Sequence, residues 1–449
     1  MSEAQEIQVG RELDAEIQRE MGVYEDAALQ RYVQNIGLRL ARVSERPDLP
    51  WQFLVVDVPA VNAFALPGGF IYLTRGILPF LDNEAQLAGV LGHEIGHVTA
   101  RHSARQYTRA TTTGLGLTLL GILVPEARPF QGVAETLASV LFLKYGREDE
   151  LEADRFGVQY AARCGWDPSG VAGMLNTLAR LDEATGTRKG VPNWLSTHPA
   201  PADRVEEIQA GIRQASATMT GTPVVDRATY LTRIDGLIFG DSPREGIVRG
   251  RRFLHPVLRM GVDFPETWEI QNTRTQVTAR APGRDHYMLL QLVENRQASL
   301  EQTARSTMAN AGFQLLSGAP TTINGLDAYV GTYQGSLQGL GRAGMRAAHI
   351  AHLRLVYLLA GIAPASEYQG VLPQFERAIG SFRGLSESEA AQIRPNRVDI
   401  HVVRAGDTWE AIARRTGGVI APATLAIMNG GEPADPPRAG DRIKVVVEG

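Results

Sequence analysis

Gly92-His93-Glu94-Ile95-Gly96-His97 lies in a segment whose residue pattern predicts a helix. Apolar residues recur there with helical spacing, at Leu87, Val90, Leu91, Ile95 and Val98. His93 and His97 are four residues apart, so they project from one face of the helix about one turn apart. This geometry suits two imidazole ligands of a single zinc ion.

Glu94 is expected to lie beside the metal rather than on it. Its side chain is rotated by roughly 100° from that of His93 around the helix axis. A carboxylate in that position can take a proton from metal-bound water, so the motif would carry its own general base. A catalytic zinc ion also needs a third protein ligand, which the rest of the chain must supply.

An acidic helix start within residues 145–160 offers this third ligand. Carboxylates in the first turn of a helix complement its macrodipole. Asp154 follows Glu150 by one turn on the same face, so Glu150 can bind zinc while Asp154 accepts a hydrogen bond from a ligand histidine. The residues alone leave four acidic candidates for the metal ligand: Glu148, Asp149, Glu150 and Glu152.

Two helices and a small sheet are predicted before the helix that carries His93 and His97. The helices fill residues 3–45, with a break at Met21-Gly22. A strand follows at Trp51–Asp57, and a hairpin pairs Asn62–Leu66 with Phe70–Thr74 across a Pro-Gly-Gly turn.

The outer strand of this sheet is the predicted peptide-binding element. An edge strand has unpaired backbone groups with which an extended peptide can pair. We therefore expect substrate to bind along Asn62, Ala63, Phe64 and Ala65. The alternative is an ordinary edge that is solvated or covered by a loop.

Three ordered motifs resemble the M48 family of zinc metallopeptidases. They are His93-Glu94-Ile95-Gly96-His97, Glu150-Leu151-Glu152-Ala153-Asp154 and His198-Pro199-Ala200-Pro201-Ala202-Asp203-Arg204. The similarity covers roughly residues 5–215 and is greatest to the periplasmic branch that guards outer-membrane protein assembly in Gram-negative bacteria. It implies a gluzincin-type fold in which His93, His97 and Glu150 hold one Zn²⁺ ion and Glu94 is the base.

The resemblance also implies roles for two residues that follow the acidic helix. His198 would lie on a loop over the site and occupy the fourth metal position, which keeps the enzyme latent until a substrate displaces it. Arg204 matches the arginine that follows this histidine in the family. We expect zinc, with His198 or Arg204, to stabilise the oxyanion. Without the resemblance, a histidine between Thr197 and Pro199 is more typical of a surface loop.

The chain departs from the best-known members of the family after residue 215. Those members carry a helical repeat domain that recruits partners, and no 34-residue repeat occurs in this sequence. Residues 216–250 are predicted to be a connector. Alternating apolar residues then predict a separate α+β domain of unknown role at residues 251–385. Its predicted strands are Gln276–Arg280, Tyr287–Val293, Thr321–Val330 with an Asn-Gly turn, and Ile350–Ala360.

Residues 396–449 resemble a LysM module of βααβ order. The matches are Gly406, Asp407, Thr408, Ile412, Ala413, Leu425, Asn429, Gly440 and Ile443, while Trp409 replaces the usual leucine. The resemblance implies binding of N-acetylglucosamine-containing glycans such as peptidoglycan, or an interaction domain without glycan binding.

The predicted fold class is therefore α+β: a mainly helical peptidase domain with a small sheet at 1–215, an α+β domain, and this module.

Composition limits the partners and the compartment. The 449 residues carry a formal net charge of -4 without a dense Lys/Arg run, so nucleic acid is not expected as a partner. Residues 1–11 lack the features of a secretory signal, which leaves a cytoplasmic protein or one whose signal has been removed. The resemblance favours the periplasm or cell envelope. Residues 111–125 are apolar over too short a run to span a bilayer, so we expect them to contact a membrane peripherally or to cover a cleft.

Together, these features predict a zinc endopeptidase that cleaves unfolded or misassembled envelope proteins. Two rival functions stay open. One is a chaperone or assembly factor with a largely latent protease site, and the other is a peptidoglycan-binding envelope protein in which the C-terminal module dominates.

Overall fold

The computed structural model describes residues 1–112, 145–185, 194–198, 202–294, 299–337 and 339–449. They form two compact units, one of Met1–Gly240 with Asn396–Gly449 and the other of Asp241–Pro395. Their helices and sheets confirm the predicted α+β class. None of the described helices is long and apolar enough to cross a membrane. Residues 113–125 of the expected membrane contact lie outside the described residues.

The first unit begins with two helices and a three-stranded sheet. These elements are α1 (Glu3–Met21), α2 (Ala27–Arg42), β1 (Gln52–Val56), β2 (Ala63–Leu66), β3 (Phe70–Thr74) and a 3-10 helix (Arg75–Phe80). Gly22, with a φ of 68°, ends α1 at the predicted break. The strand order is β1-β3-β2, with β1 parallel and β2 antiparallel to β3. β2 therefore lies at a sheet edge, as predicted.

The helix that carries His93, Glu94 and His97, α3 (Glu84–Thr99), is the central helix of this unit. Its residues from Glu84 to Val98 are all buried. The Asn83 side chain caps its N-terminus by accepting a hydrogen bond from the backbone amide of Gln86. The helices that follow are α4 (His102–Thr112), α5 (Arg147–Arg163), α6 (Ser169–Thr185), α7 (Trp194–Thr197), α8 (Ala202–Thr218) and α9 (Arg227–Ile234).

Small residues let α3 and α5 approach each other closely. A Cβ atom added to Gly96 would lie 2.9 Å from the Cα atom of Ala153, and one added to Gly92 would lie 3.1 Å from the Cα atom of Gly157. A Cβ atom at Gly96 would force the backbone of α5 to shift, and one at Gly92 would be tighter than ordinary van der Waals contact, so glycine at both positions permits this approach. The close approach brings Glu150 of α5 to the histidine face of α3.

The second unit, in its described residues, consists of two sheets and three helices. Its elements are β4 (Ile247–Arg249), β5 (Arg252–His255), β6 (Met260–Asp263), β7 (Glu269–Asn272), β8 (Gln276–Arg280), β9 (Tyr287–Val293), α10 (Leu300–Asn310), β10 (Gln314–Ile323), β11 (Leu326–Leu337), β12 (Gly341–His352), β13 (Leu355–Pro364), α11 (Tyr368–Gly380), β14 (Arg383–Gly384) and α12 (Glu387–Gln392). The larger sheet has the order β10-β11-β12-β13-β9-β8-β7, and the smaller one β14-β6-β5-β4.

One strand prediction in this unit is wrong. The segment Ile350–Ala360 is not a single strand, because Leu353 and Arg354 form a turn between β12 and β13. Their φ angles are 49° and 64°, in the left-handed region that glycine or asparagine usually occupies. Neither residue type marks this turn, so the apolar pattern continues through it without a break. The Asn324-Gly325 turn, by contrast, connects β10 and β11 as predicted.

The C-terminal segment belongs to the first unit and has the predicted βααβ order. It comprises β15 (Arg397–Val402), α13 (Trp409–Arg415), α14 (Pro422–Met428) and β16 (Arg442–Val447). Lys444 of β16 is buried, and its Nζ donates hydrogen bonds to the Leu81 carbonyl at 2.6 Å and to Asp82 Oδ1 at 3.1 Å. The segment therefore contacts the residues that lead directly into α3.

Candidate metal centre

Four buried side chains of the first unit converge on one point. Ligand atoms of His93, His97, Glu150 and His198 lie within 4.8 Å of one another. His97 Nε2 lies 3.0 Å from His93 Nε2 and 3.4 Å from Glu150 Oε1. His198 Nδ1 lies 2.9 Å from Glu150 Oε1 and 3.2 Å from His93 Nε2. Three imidazole nitrogens and one carboxylate oxygen form a donor set that zinc accepts.

The protonation of these groups fits a cation where they meet. Burial lowers the pKa of His97 well below its usual range, so its ring is neutral. Burial alone would raise the pKa of Glu150, but the neighbouring histidines His198 and His97 hold it well below its usual range. Burial alone would lower the pKa of His93, but the hydrogen bond from its Nδ1 to Asp154 Oδ1 at 2.9 Å raises it above its usual range. In the neutral ring that keeps its proton on Nδ1, Nε2 has a lone pair. Lone pairs of His93, His97 and Glu150 thus face one another, and a bound cation would remove their mutual repulsion.

Asp154 and Arg204 form a buried ion pair behind the ligands. Arg204 Nη2 donates to Asp154 Oδ1 at 3.0 Å, and Arg204 Nη1 lies 2.7 Å from Glu150 Oε2. Burial alone would raise the pKa of Asp154, but His93 and Arg204 hold it below its usual range. Asp154 therefore contacts His93, a candidate metal ligand, in the way its helical spacing suggests. Arg204 contacts the carboxylates that support the ligand cluster.

Glu94 lies beside the ligand cluster and contacts the segment that carries His198. Trp194 Nε1 donates to Glu94 Oε1 at 3.3 Å, and His198 Nε2 lies 3.7 Å from the same oxygen. The rings of Trp194 and His198 are stacked, with centroids 4.5 Å apart. Glu94 Oε2 is buried and has no hydrogen-bond partner among the described residues. Such an oxygen keeps its full capacity to accept a hydrogen bond from water.

The predicted peptide-binding edge is covered in this structure. Asn62, Ala63, Phe64 and Ala65 are all buried. The Val61 carbonyl, just before β2, accepts a hydrogen bond from the Trp194 amide at 2.8 Å, and the Ala65 carbonyl accepts one from the Ser103 hydroxyl at 3.1 Å. The segment Trp194–His198 therefore pairs with the sheet edge at one end and reaches the ligand cluster at the other.

The sequence does not single out three residues that line this site: His102, Tyr145 and Trp194. His102 Nδ1 lies 2.9 Å from His97 Nδ1, and the Tyr145 ring stacks on His97 with centroids 3.8 Å apart. His102 has a signal that could have been used, since it is one further histidine five residues after His97. Tyr145 and Trp194 have none, because buried aromatic residues are common in any core.

Comparison with known proteins identifies the domain that contains this site. Residues 27–212 match the model of peptidase family M48, a range that includes the whole ligand cluster with Glu94, Asp154 and Arg204. Residues 27–212 form an M48 peptidase domain. The M48 family resemblance predicted from the three sequence motifs is thereby confirmed for this part of the chain.

Several curated proteins are similar to the chain that carries this M48 domain. The beta-barrel assembly-enhancing protease of Escherichia coli (strain K12) is 34% identical over 218 residues, which cover 46% of this chain and 44% of that protein. A putative beta-barrel assembly-enhancing protease of Vibrio cholerae is 32% identical over 255 residues, which cover 54% of this chain and 51% of that protein. The mitochondrial metalloendopeptidase OMA1 of Schizosaccharomyces pombe is 33% identical over 187 residues, which cover 41% of this chain and 53% of that protein. The chain thus spans about half the length of the curated relatives it matches.

Proposed function

We propose that this chain is a zinc-dependent endopeptidase of the bacterial envelope that cleaves unfolded or misassembled proteins and is held latent by His198. The observation that carries the proposal is the buried convergence of His93 Nε2, His97 Nε2 and Glu150 Oε1 beside Glu94, inside an M48 domain. The names of the bacterial relatives support a role in the assembly of envelope proteins. The name metalloendopeptidase, carried by the yeast relative, supports cleavage within a chain.

The ligand cluster and Glu94 divide the chemistry between them. His93, His97 and Glu150 would hold the zinc ion, which when bound supplies a Lewis acid that polarises the scissile carbonyl and activates water. Glu94 takes a proton from the attacking water and returns it to the nitrogen of the leaving amine. Glu94 Oε2 is the oxygen suited to this transfer, because Oε1 already accepts the indole N–H of Trp194.

Asp154 and Arg204 hold the ligands in place. Asp154 fixes the ring of His93 through Nδ1, which leaves Nε2 to face the metal. Arg204 contacts Asp154 and Glu150. Its guanidinium is bound by these carboxylates, so the bound zinc ion would be the main stabiliser of the oxyanion once the segment that carries His198 has moved.

The segment Trp194–His198 closes the site through three contacts. The Trp194 amide pairs with the Val61 carbonyl, the Trp194 indole donates to Glu94, and His198 Nδ1 lies in the ligand cluster. A substrate strand that adds to β2 needs the same edge, and its scissile carbonyl needs the position of His198. Substrate and segment therefore compete, and the segment must move before cleavage begins.

His198→Ala is expected to raise cleavage of a denatured protein by about tenfold. Removing only about 1.4 kcal/mol of closing free energy shifts a two-state equilibrium by that factor. The measurement is the initial rate of fluorescent-peptide release from a reduced, carboxymethylated protein, with the folded form of the same protein as a control. The double variant His198→Ala/Glu94→Gln should be inactive, which excludes a contaminating protease.

A chelator should stop this cleavage, and added zinc should restore it. The latency proposal is lost if His198→Ala folds normally and cleaves at or below the wild-type rate. The peptidase proposal itself is lost if neither protein cleaves the denatured substrate when loaded with zinc.

A further inference from the structure

His102 touches a metal ligand on the side that faces away from the metal. His97 Nε2 faces His93 and Glu150, so His97 Nδ1 is the atom that points outward. His102 Nδ1 lies 2.9 Å from it, and both rings are fully buried. The chain turns sharply to make this contact, because Arg101, between α3 and α4, has a φ of 63°. His102 is thereby folded back under His97 at the first position of α4.

The hydrogen bonds permit only one arrangement of protons in this pair when a metal is held by Nε2 of His97. A neutral imidazole has one N–H, which must then be on Nδ1 of His97. That N–H donates to His102 Nδ1, which must accept and therefore carries no proton. The proton of His102 is then on Nε2, and it points towards two carboxylates of α5.

Those carboxylates lie on either side of the ligand Glu150 in the sequence. His102 Nε2 lies 3.2 Å from Asp149 Oδ1 and 3.3 Å from Glu152 Oε2. Asp149 is held in turn by Arg105 of α4, at 3.0 Å. The chain of contacts therefore runs from His97 on α3 through His102 on α4 to the start of α5.

We propose that His102 is a positioning residue that accepts the Nδ1 hydrogen of His97 and so fixes the tautomer and ring orientation of this zinc ligand. Asp154 accepts the Nδ1 hydrogen of His93 in the same way. For His97 the acceptor is the neutral imidazole of His102, which lies between this ligand and the carboxylates of α5. The inference rests on the proposed zinc site. Partners of this kind typically contribute about 10- to 100-fold to metal affinity.

The test is the zinc dissociation constant of three variants, measured by competition with a chromophoric chelator. His102→Leu removes the acceptor and should weaken zinc binding by about 10- to 100-fold. His102→Asn places an amide oxygen near the position of Nδ1, so it should restore most of the affinity. The matched control is His286→Leu, which also removes a histidine–carboxylate contact, that with Glu367 at 2.8 Å, but in the second unit.

A second readout separates positioning from a general loss of structure. Cobalt substituted for zinc has an absorption spectrum that reports ligand geometry, and we expect it to change in His102→Leu and to be restored in His102→Asn. Circular dichroism of the zinc-free proteins should be the same for all variants. Wild-type affinity in His102→Leu, or equal weakening in Leu and Asn variants, would overturn the positioning role. Failure of the zinc site itself gives a different result, because the wild type would then bind no zinc.

Discussion

Glu94→Gln is expected to lower the rate of cleavage of a denatured protein by about 10³-fold, because it removes the general base. Glutamine has the size of glutamate but cannot accept the proton of the attacking water. Glu94 is not among the four convergent ligand residues, so zinc content should be unchanged. The rate should be measured in the wild type and in His198→Ala, so that opening of the site does not limit it.

Glu148→Gln is the matched control for this variant, since Glu148 is an exposed carboxylate in the first turn of α5. Its rate should equal that of the wild type. Cleavage by zinc-loaded Glu94→Gln at the parent rate would exclude Glu94 as the base. If the variant is inactive yet still supports envelope protein assembly in cells, the chaperone function gains support over proteolysis.

Arg204→Met is expected to destabilise the first unit by about 3 to 5 kcal/mol, because it leaves buried carboxylates without their counter-charge. Asp154 and Glu150 are each about 1% exposed, and both contact the Arg204 guanidinium. Methionine keeps much of the volume of the arginine stem, so the loss is mainly electrostatic. The measurement is urea unfolding of the zinc-free protein, monitored by tryptophan fluorescence.

Two further variants decide whether the charge is responsible for this loss. Arg204→Met/Asp154→Asn should recover part of it, because a neutral amide tolerates burial better than an unpaired carboxylate. Arg213→Met, at an exposed position of the same helix, should change stability by less than about 0.5 kcal/mol. Wild-type stability in Arg204→Met would contradict the role of the buried ion pair.

The sequence predicts those parts of the site that depend on spacing within a helix. His93, Glu94 and His97 share one helix, and Glu150 and Asp154 share another, so their relative directions follow from helical geometry. The choice of Glu150 among four acidic residues needed the family resemblance. The structure adds the physical reason that Glu150 meets the histidines: Gly92 and Gly96 let α5 pack against α3 at close range.

Other parts of the site depend on contacts between distant segments and could not be predicted. The Trp194 indole meets Glu94 across 100 positions of sequence, and no local pattern encodes that contact. His102 follows a backbone turn at Arg101, where helical periodicity ends. The hydrogen bonds along this edge, from Trp194 to Val61 just before β2 and from Ser103 to Ala65, likewise join distant segments. Local pattern identified this edge, but not what covers it.

We infer that His93, His97 and Glu150 together hold one catalytic zinc ion. The zinc content of the purified wild type, His97→Ala and Glu150→Ala can be determined by mass spectrometry of the metal alongside protein concentration. We predict one zinc ion per wild-type chain and nearly complete loss in both variants. Zinc retained at full stoichiometry in both variants would contradict this ligand set.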